Sequence, residues 1–80
     1  MNHQQFSSFS LSNIGQSFTC KNSSKAMDNY LDHKNGVTFE FLGFVCSTDE
    51  HLVLLAENDG QPEPNLDYYT YDDFQSYFLN

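Results

Sequence analysis

The chain has 80 residues, 39% of them hydrophobic, with eight Phe, five Tyr and a formal net charge of −8. A chain of this length forms one domain and buries only about 60–65% of its unfolded surface. It has no apolar run near the roughly 20 residues of a membrane span, and its first residues lack the basic and apolar regions of a secretory signal. The composition therefore favours a soluble cytoplasmic protein.

The charges are distributed unevenly along the chain. Residues 1–39 hold two acidic residues and three lysines, whereas residues 40–80 hold nine acidic residues and no lysine or arginine. A surface with such an excess of carboxylates attracts basic surfaces and repels nucleic acid and anionic membranes. We therefore expect the partner to be a basic protein surface, with no direct binding to nucleic acid or membrane.

The N-terminal segment, residues 1–14, is rich in Ser, Gln and Asn, and its apolar anchors are Phe6, Phe9 and Leu11. This composition predicts a loosely ordered arm or, alternatively, an edge strand laid on the core. The single folded domain is then expected to comprise residues 15–80.

Two short elements are predicted next. Gln16–Lys21 is typical of a short strand. Lys25–Lys34 is predicted to be a short helix, because Asn22-Ser23-Ser24 provides N-cap residues and Asn35-Gly36 provides a C-terminal stop.

The segment Gly36–Gly60 is predicted to form the central β-hairpin. It contains two apolar runs, Val37–Cys46 and Leu52–Ala56, which are joined by a short polar link. The first run begins with the alternation of apolar and polar residues that is typical of a half-buried strand. Gly43 interrupts this run and predicts a bulge or a sharp bend.

The C-terminal segment predicts a strand followed by a helix. Leu66–Tyr69 follows a proline-containing loop, and Asp72–Leu79 is preceded by Thr70, which with Asp73 resembles a capping box. The predicted fold is therefore α+β: a small, strongly bent antiparallel sheet of three to five strands, SH3-like in outline. One short helix precedes the central hairpin and another ends the chain.

Catalytic and metal-binding signatures are absent from the sequence. The histidines and cysteines lack the paired spacing of a closed zinc site, and the acids around Asp59 do not match a calcium loop. Cys20 and Cys46 are interpreted as buried thiols in a reducing compartment, with a disulfide as the alternative. We expect no enzyme activity, no metal and no cofactor.

The candidate binding surface is the stretch from Glu57 to Asp73, in which acidic residues are interleaved with tyrosines. Since consecutive strand residues face opposite sides, at least one of Tyr68 and Tyr69 should be exposed, and acids on such a frame can form a row of negative charge. The alternative is that the tyrosines pack at the edge of the core and the acids solvate a loop. The predicted partner-binding residues are Glu57, Asp59, Glu63, Asp67, Tyr68, Tyr69, Tyr71, Asp72 and Asp73.

By composition, the chain resembles the small acidic inhibitors that phages and mobile elements encode against host defences, of the anti-CRISPR and anti-restriction type. The resemblance covers size, the scarcity of basic residues and the mixture of acids and tyrosines, and no motif or site residue carries over from it. It implies a non-enzymatic inhibitor in the host cytoplasm that covers the DNA- or RNA-binding surface of a host complex. Nucleic-acid mimicry and blocked recruitment are both possible routes. The alternative function is a small cytosolic interaction or assembly module, homodimeric through an exposed strand edge.

Overall fold

A computed structural model of the chain describes residues 2–21, 34–58 and 62–79. The elements follow in the order α1 (His3–Asn13), β1 (Ser17–Thr19), β2 (Thr38–Cys46), β3 (His51–Asn58), β4 (Asn65–Thr70) and α2 (Tyr71–Phe74), after which Gln75–Leu79 continues as a π-helical segment. Among the described residues, no helix is long and apolar enough to cross a membrane.

The four strands form one antiparallel sheet with the order β1-β2-β3-β4. The predicted α+β fold with a small antiparallel sheet is confirmed, as are the central hairpin and the strand that follows it. The pairing of β2 with β3 shifts between Phe41 and Gly43, where the irregularity was predicted. The helix predicted over Lys25–Lys34 lies almost entirely outside the described residues.

The N-terminal segment is a helix, so the prediction of a loosely ordered arm or an edge strand over residues 1–14 is wrong. Asn2 caps α1: its side chain accepts a hydrogen bond from Gln5 N at 2.8 Å, and the Gln5 side chain accepts one from Asn2 N at 3.1 Å. Phe6 and Ser10, four residues apart on one helix face, are fully buried. This segment therefore belongs to the folded domain.

The core lies between one face of the sheet and the two helical segments. The strand pairing places Phe39 and Phe41 of β2 on the same face as Val53 and Leu55 of β3, and all four side chains are buried. This face is covered by Phe6 of α1 and by the buried side chains of the C-terminal segment, Phe74, Tyr77 and Phe78. The rings meet mostly edge to face, as aromatic quadrupoles prefer.

The C-terminal helical segment begins as its sequence predicts. Thr70 adopts an extended backbone conformation, and its Oγ1 accepts a hydrogen bond from Asp73 N at 3.1 Å. Asp72 and Asp73 occupy the first turn, where negative charge complements the helix dipole. This cap therefore satisfies one of the backbone N–H groups that the first turn of a helix leaves without an intrahelical partner.

Candidate functional site

The exposed members of the predicted binding surface lie along β4 and just before and after it. Glu63, Asp67 and Asp72 are exposed, and Asp73 is partly exposed. Asp67 is the only acidic residue within Asn65–Thr70, so the described part of the chain does not place a row of carboxylates along this strand. The acids instead form a dispersed negative surface.

The three tyrosines of this stretch differ in exposure. Tyr68 is 51% exposed, whereas Tyr69 and Tyr71 are half-buried. Tyr69 packs against Phe39 and Phe78 at ring-centroid distances of 6.3 and 6.5 Å. The prediction that one of Tyr68 and Tyr69 is exposed is confirmed, and Tyr68 is the ring available to a partner.

Burial also affects the ionisation of the two packed tyrosines. Burial, followed by the negative charges of Asp67 and Glu57 and the neighbouring Cys20, raises the pKa of Tyr69 above its ordinary value. Burial and the charge of Asp72 raise the pKa of Tyr71. Both phenols are therefore neutral at physiological pH, and they serve as packing groups.

Two of the predicted binding residues are not part of the described surface. Glu57 is only 6% exposed, and its Oε1 lies 2.6 Å from Lys34 Nζ. The prediction that Glu57 contributes an exposed charge is therefore wrong, because the carboxylate is buried and neutralised by a lysine from the preceding half of the chain. Asp59 lies outside the described residues.

A second acidic region lies at the end of the hairpin. Asp49 and Glu50 in the β2–β3 link, together with Asp72, line a surface pocket of about 400 Å³, which His51, Thr70 and Tyr71 complete. The pocket has three carboxylates and a histidine at its rim. Its electrostatic character therefore favours cationic groups.

Beside this pocket, three potential metal ligands from distant parts of the chain come together. The ligand atoms of His3, Cys46 and His51 all lie within 4.8 Å of one another. His3 Nδ1 is 2.9 Å from Cys46 Sγ and 3.4 Å from His51 Nε2. Cys46, the last residue of β2, is paired across the strands with His51, the first residue of β3. His3 is the first residue of α1.

Sequence patterns did not predict this cluster, because His3 was expected in a loosely ordered arm and the histidines lack the paired spacing of a closed zinc site. One local signal was available: Cys46 and His51 flank a four-residue link between two predicted strands, which makes them cross-strand neighbours. The position of His3 depends on the packing of α1. Cys20 and Cys46 do not form a disulfide, and Cys20 is buried whereas Cys46 is partly exposed.

A scan against protein-family models finds no match for this chain, and neither does a search of curated proteins or of solved structures.

Proposed function

We propose that this protein is a small acidic inhibitor that binds a basic, nucleic-acid-handling protein complex of its host cell and covers the surface that would otherwise hold DNA or RNA. The observation that carries the proposal is the exposure of acidic residues along β4 and beside it. Glu63, Asp67 and Asp72 lie at solvent, within residues 40–80, which contain no lysine or arginine.

The physical basis is electrostatic attraction between oppositely charged surfaces. Exposed carboxylates, even when dispersed over a surface, give a negative potential where they outnumber cations, and this potential raises the rate at which a basic surface associates. Tyr68 adds an exposed ring on the same strand as Asp67, and tyrosine is enriched in the cores of protein interfaces. We define the β4 acidic surface as Glu63, Asp67 and Tyr68.

The test is affinity capture from host lysate with the tagged protein, at low and high salt and with competing DNA. We expect capture of a nucleic-acid-handling complex that either salt or DNA releases. Capture that is insensitive to both would overturn the mimicry mechanism while leaving blocked recruitment as the route.

A matched pair of variants locates the contact. Glu63→Gln with Asp67→Asn neutralises two charges of the β4 acidic surface, and the Asn side chain keeps the oxygen that accepts from Tyr68 N at 2.8 Å. Glu40→Gln with Glu50→Gln removes the same charge elsewhere on the exposed surface. The first variant should weaken capture strongly and the second only slightly; equal weakening would show that net charge alone matters.

The alternative is a small interaction or assembly module that is homodimeric. It is favoured by Leu66 and Tyr68, which are 56% and 51% exposed on the edge strand β4. Pairing of two such edges would cover these side chains. Concentration-dependent elution in size-exclusion chromatography that Leu66→Lys abolishes would support this function, and a monomer at high concentration would exclude it.

A further inference from the structure

We propose that His3, Cys46 and His51 form a binding site for a thiophilic transition-metal ion, with Zn²⁺ the first candidate. Two imidazole nitrogens and one thiolate would occupy three positions of a tetrahedron. The fourth position would be open to solvent, since His3 is exposed and the other two residues are partly exposed. The site is argued independently of the proposed inhibitor function.

The two separations measured from His3 Nδ1 can be compared with those that a tetrahedral zinc ion requires, and all three ligand atoms lie within 4.8 Å of one another. Zn–N bonds of about 2.0–2.1 Å and a Zn–S bond of about 2.3 Å place two nitrogens about 3.3 Å apart and a nitrogen and sulfur about 3.5 Å apart. The observed separation of His3 Nδ1 and His51 Nε2 is 3.4 Å. The separation of His3 Nδ1 and Cys46 Sγ is 2.9 Å, so the thiol would need to move only slightly on metal binding.

The ligands are held in place by the fold. Cys46 and His51 are fixed opposite each other by the hairpin register. Phe6 stacks on the His51 ring, with centroids 4.5 Å apart and planes 7° from parallel, and Phe6 itself is fully buried. His3 and Phe6 both belong to α1. Packing of this helix on the sheet therefore orients the imidazole of His51 through Phe6 and places the imidazole of His3 beside it.

A hydrogen-bonded cluster without metal accounts less well for the arrangement. His3 Nδ1 faces both Cys46 Sγ and His51 Nε2, and the other acceptor near the Cys46 thiol, the His3 carbonyl oxygen, is 3.8 Å away. This nitrogen carries one proton or one lone pair, so it cannot bond well to both neighbours at once. A metal ion between the three atoms satisfies all of them together, and the nearby carboxylates of Asp49, Glu50 and Asp72 favour a cation there.

The choice of metal follows from ligand softness. Thiolate and imidazole suit Zn²⁺ and its spectroscopic substitute Co²⁺, whereas Mg²⁺ and Ca²⁺ prefer oxygen ligands. A site with these three residues should therefore bind Zn²⁺ and Co²⁺ but not Mg²⁺. Binding would link the first residue of α1 to the end of the hairpin and would stabilise the folded state.

The experiment is a Co²⁺ titration of the full chain without a polyhistidine tag, in a non-thiol reductant, followed by displacement with Zn²⁺. We expect one equivalent to bind, with the near-ultraviolet charge-transfer band of a thiolate ligand and the visible bands of tetrahedral Co²⁺. Zn²⁺ should abolish these bands and raise the melting temperature, and Mg²⁺ should do neither.

Variants assign the site. Cys46→Ser should remove the charge-transfer band, and His3→Gln or His51→Gln should weaken binding by roughly tenfold or more. His33→Gln, at the remaining histidine of the chain, is the matched control and should bind as the unaltered protein does. Circular dichroism without metal checks that each variant is folded, and His3→Gln, at an exposed residue, is the variant least disturbing to the core.

Three results would overturn the proposal. The first is the absence of Co²⁺ or Zn²⁺ binding to the folded protein. The second is a thiolate band that survives in Cys46→Ser. The third is loss of binding in His33→Gln with no loss in His3→Gln. None of these results bears on capture of a host complex, so failure of the metal site and failure of the proposed function are distinguishable.

Discussion

The buried carboxylate of Glu57 lies within reach of two polar side chains, those of Lys34 and Asn65. Its side chain is 8% exposed and forms an ion pair with Lys34, whose side chain is 32% exposed. Asn65 Nδ2 lies 3.4 Å from the other carboxylate oxygen. A buried carboxylate needs such partners, because an uncompensated buried charge is strongly destabilising.

We therefore predict that Lys34→Met lowers the free energy of unfolding by about 1–3 kcal/mol, since it leaves Glu57 buried without its cation. Denaturant unfolding provides the measurement. The double variant Lys34→Met with Glu57→Gln should recover part of the loss because the remaining side chain is neutral. If the double variant is no more stable than the single one, the ion pair does not determine the effect.

Tyr69 gives a prediction about alkaline pH. Its pKa is raised by burial and by the charges of Asp67 and Glu57, so the folded protein keeps this proton at a pH where the unfolded chain loses it. Its contribution to stability is then fully present below about pH 10 and is lost as the pH rises through the folded pKa.

Unfolding measured across this alkaline range should show that contribution as a falling free energy of unfolding. Tyr69→Phe removes the ionising group, so the fall should become shallower. Tyr68→Phe, which alters an exposed ring of the same strand, is the control. An unchanged pH dependence in Tyr69→Phe would contradict the assignment.

At the scale of elements, α1 contributes a buried side chain to the core, so truncating that side chain should destabilise the protein. Phe6→Ala should lower the free energy of unfolding by about 3–5 kcal/mol, since it leaves a cavity beneath the helix. Phe6→Leu leaves a smaller cavity and should lower the free energy of unfolding by less, so this variant can be measured even if Phe6→Ala does not fold. Leu11→Ala, at a side chain that is 65% exposed on the same helix, is the control and should change stability by no more than about 0.5 kcal/mol.

The cap of the C-terminal helical segment supports a second prediction at this scale. Thr70→Ala removes the oxygen that accepts from Asp73 N and should cost about 0.5–2 kcal/mol. Thr19→Ala, at an exposed strand residue, controls for the loss of a β-branched side chain. Denaturant unfolding should show a larger loss for Thr70→Ala, and equal losses would mean that the cap contributes little.

Local sequence patterns predict some of the helices and strands of this protein but not all of them. The hairpin, β4 and the start of α2 were predictable because strand alternation, turn residues and a Thr cap act over a few residues. The helix α1 carried a usable signal, Asn2 followed by Gln5 in capping-box spacing, with Phe6 and Phe9 three residues apart. Its polar composition obscured this signal, and burial of Phe6 depends on contacts with β2 and β3.

At the scale of the whole molecule, the net charge of −8 acts against compactness. The radius of gyration is 12.3 Å, which is shorter than the Debye length of about 30 Å at 0.01 M salt and longer than the roughly 8 Å at 0.15 M. At low salt the carboxylates therefore repel one another across the entire protein, and at physiological salt they do so only locally.

We accordingly predict that the melting temperature rises when NaCl is increased from about 0.01 M to about 0.15 M, the two concentrations to which these Debye lengths refer. Differential scanning calorimetry measures the shift. The variant with Glu40→Gln and Glu50→Gln carries less charge and should show a smaller rise. A melting temperature that falls with added salt would mean that attractive pairs outweigh the repulsion.

The sequence by itself determined the excess of negative charge in the second half of the chain, the periodicity of the central hairpin and the cap at Thr70, because these are properties of composition or of neighbouring residues. Only the tertiary structure decided that α1 packs on the sheet, that Lys34 neutralises Glu57, and that His3 meets Cys46 and His51. These contacts join residues up to 48 positions apart. Their existence depends on the registers and docking of whole elements, which no local pattern specifies.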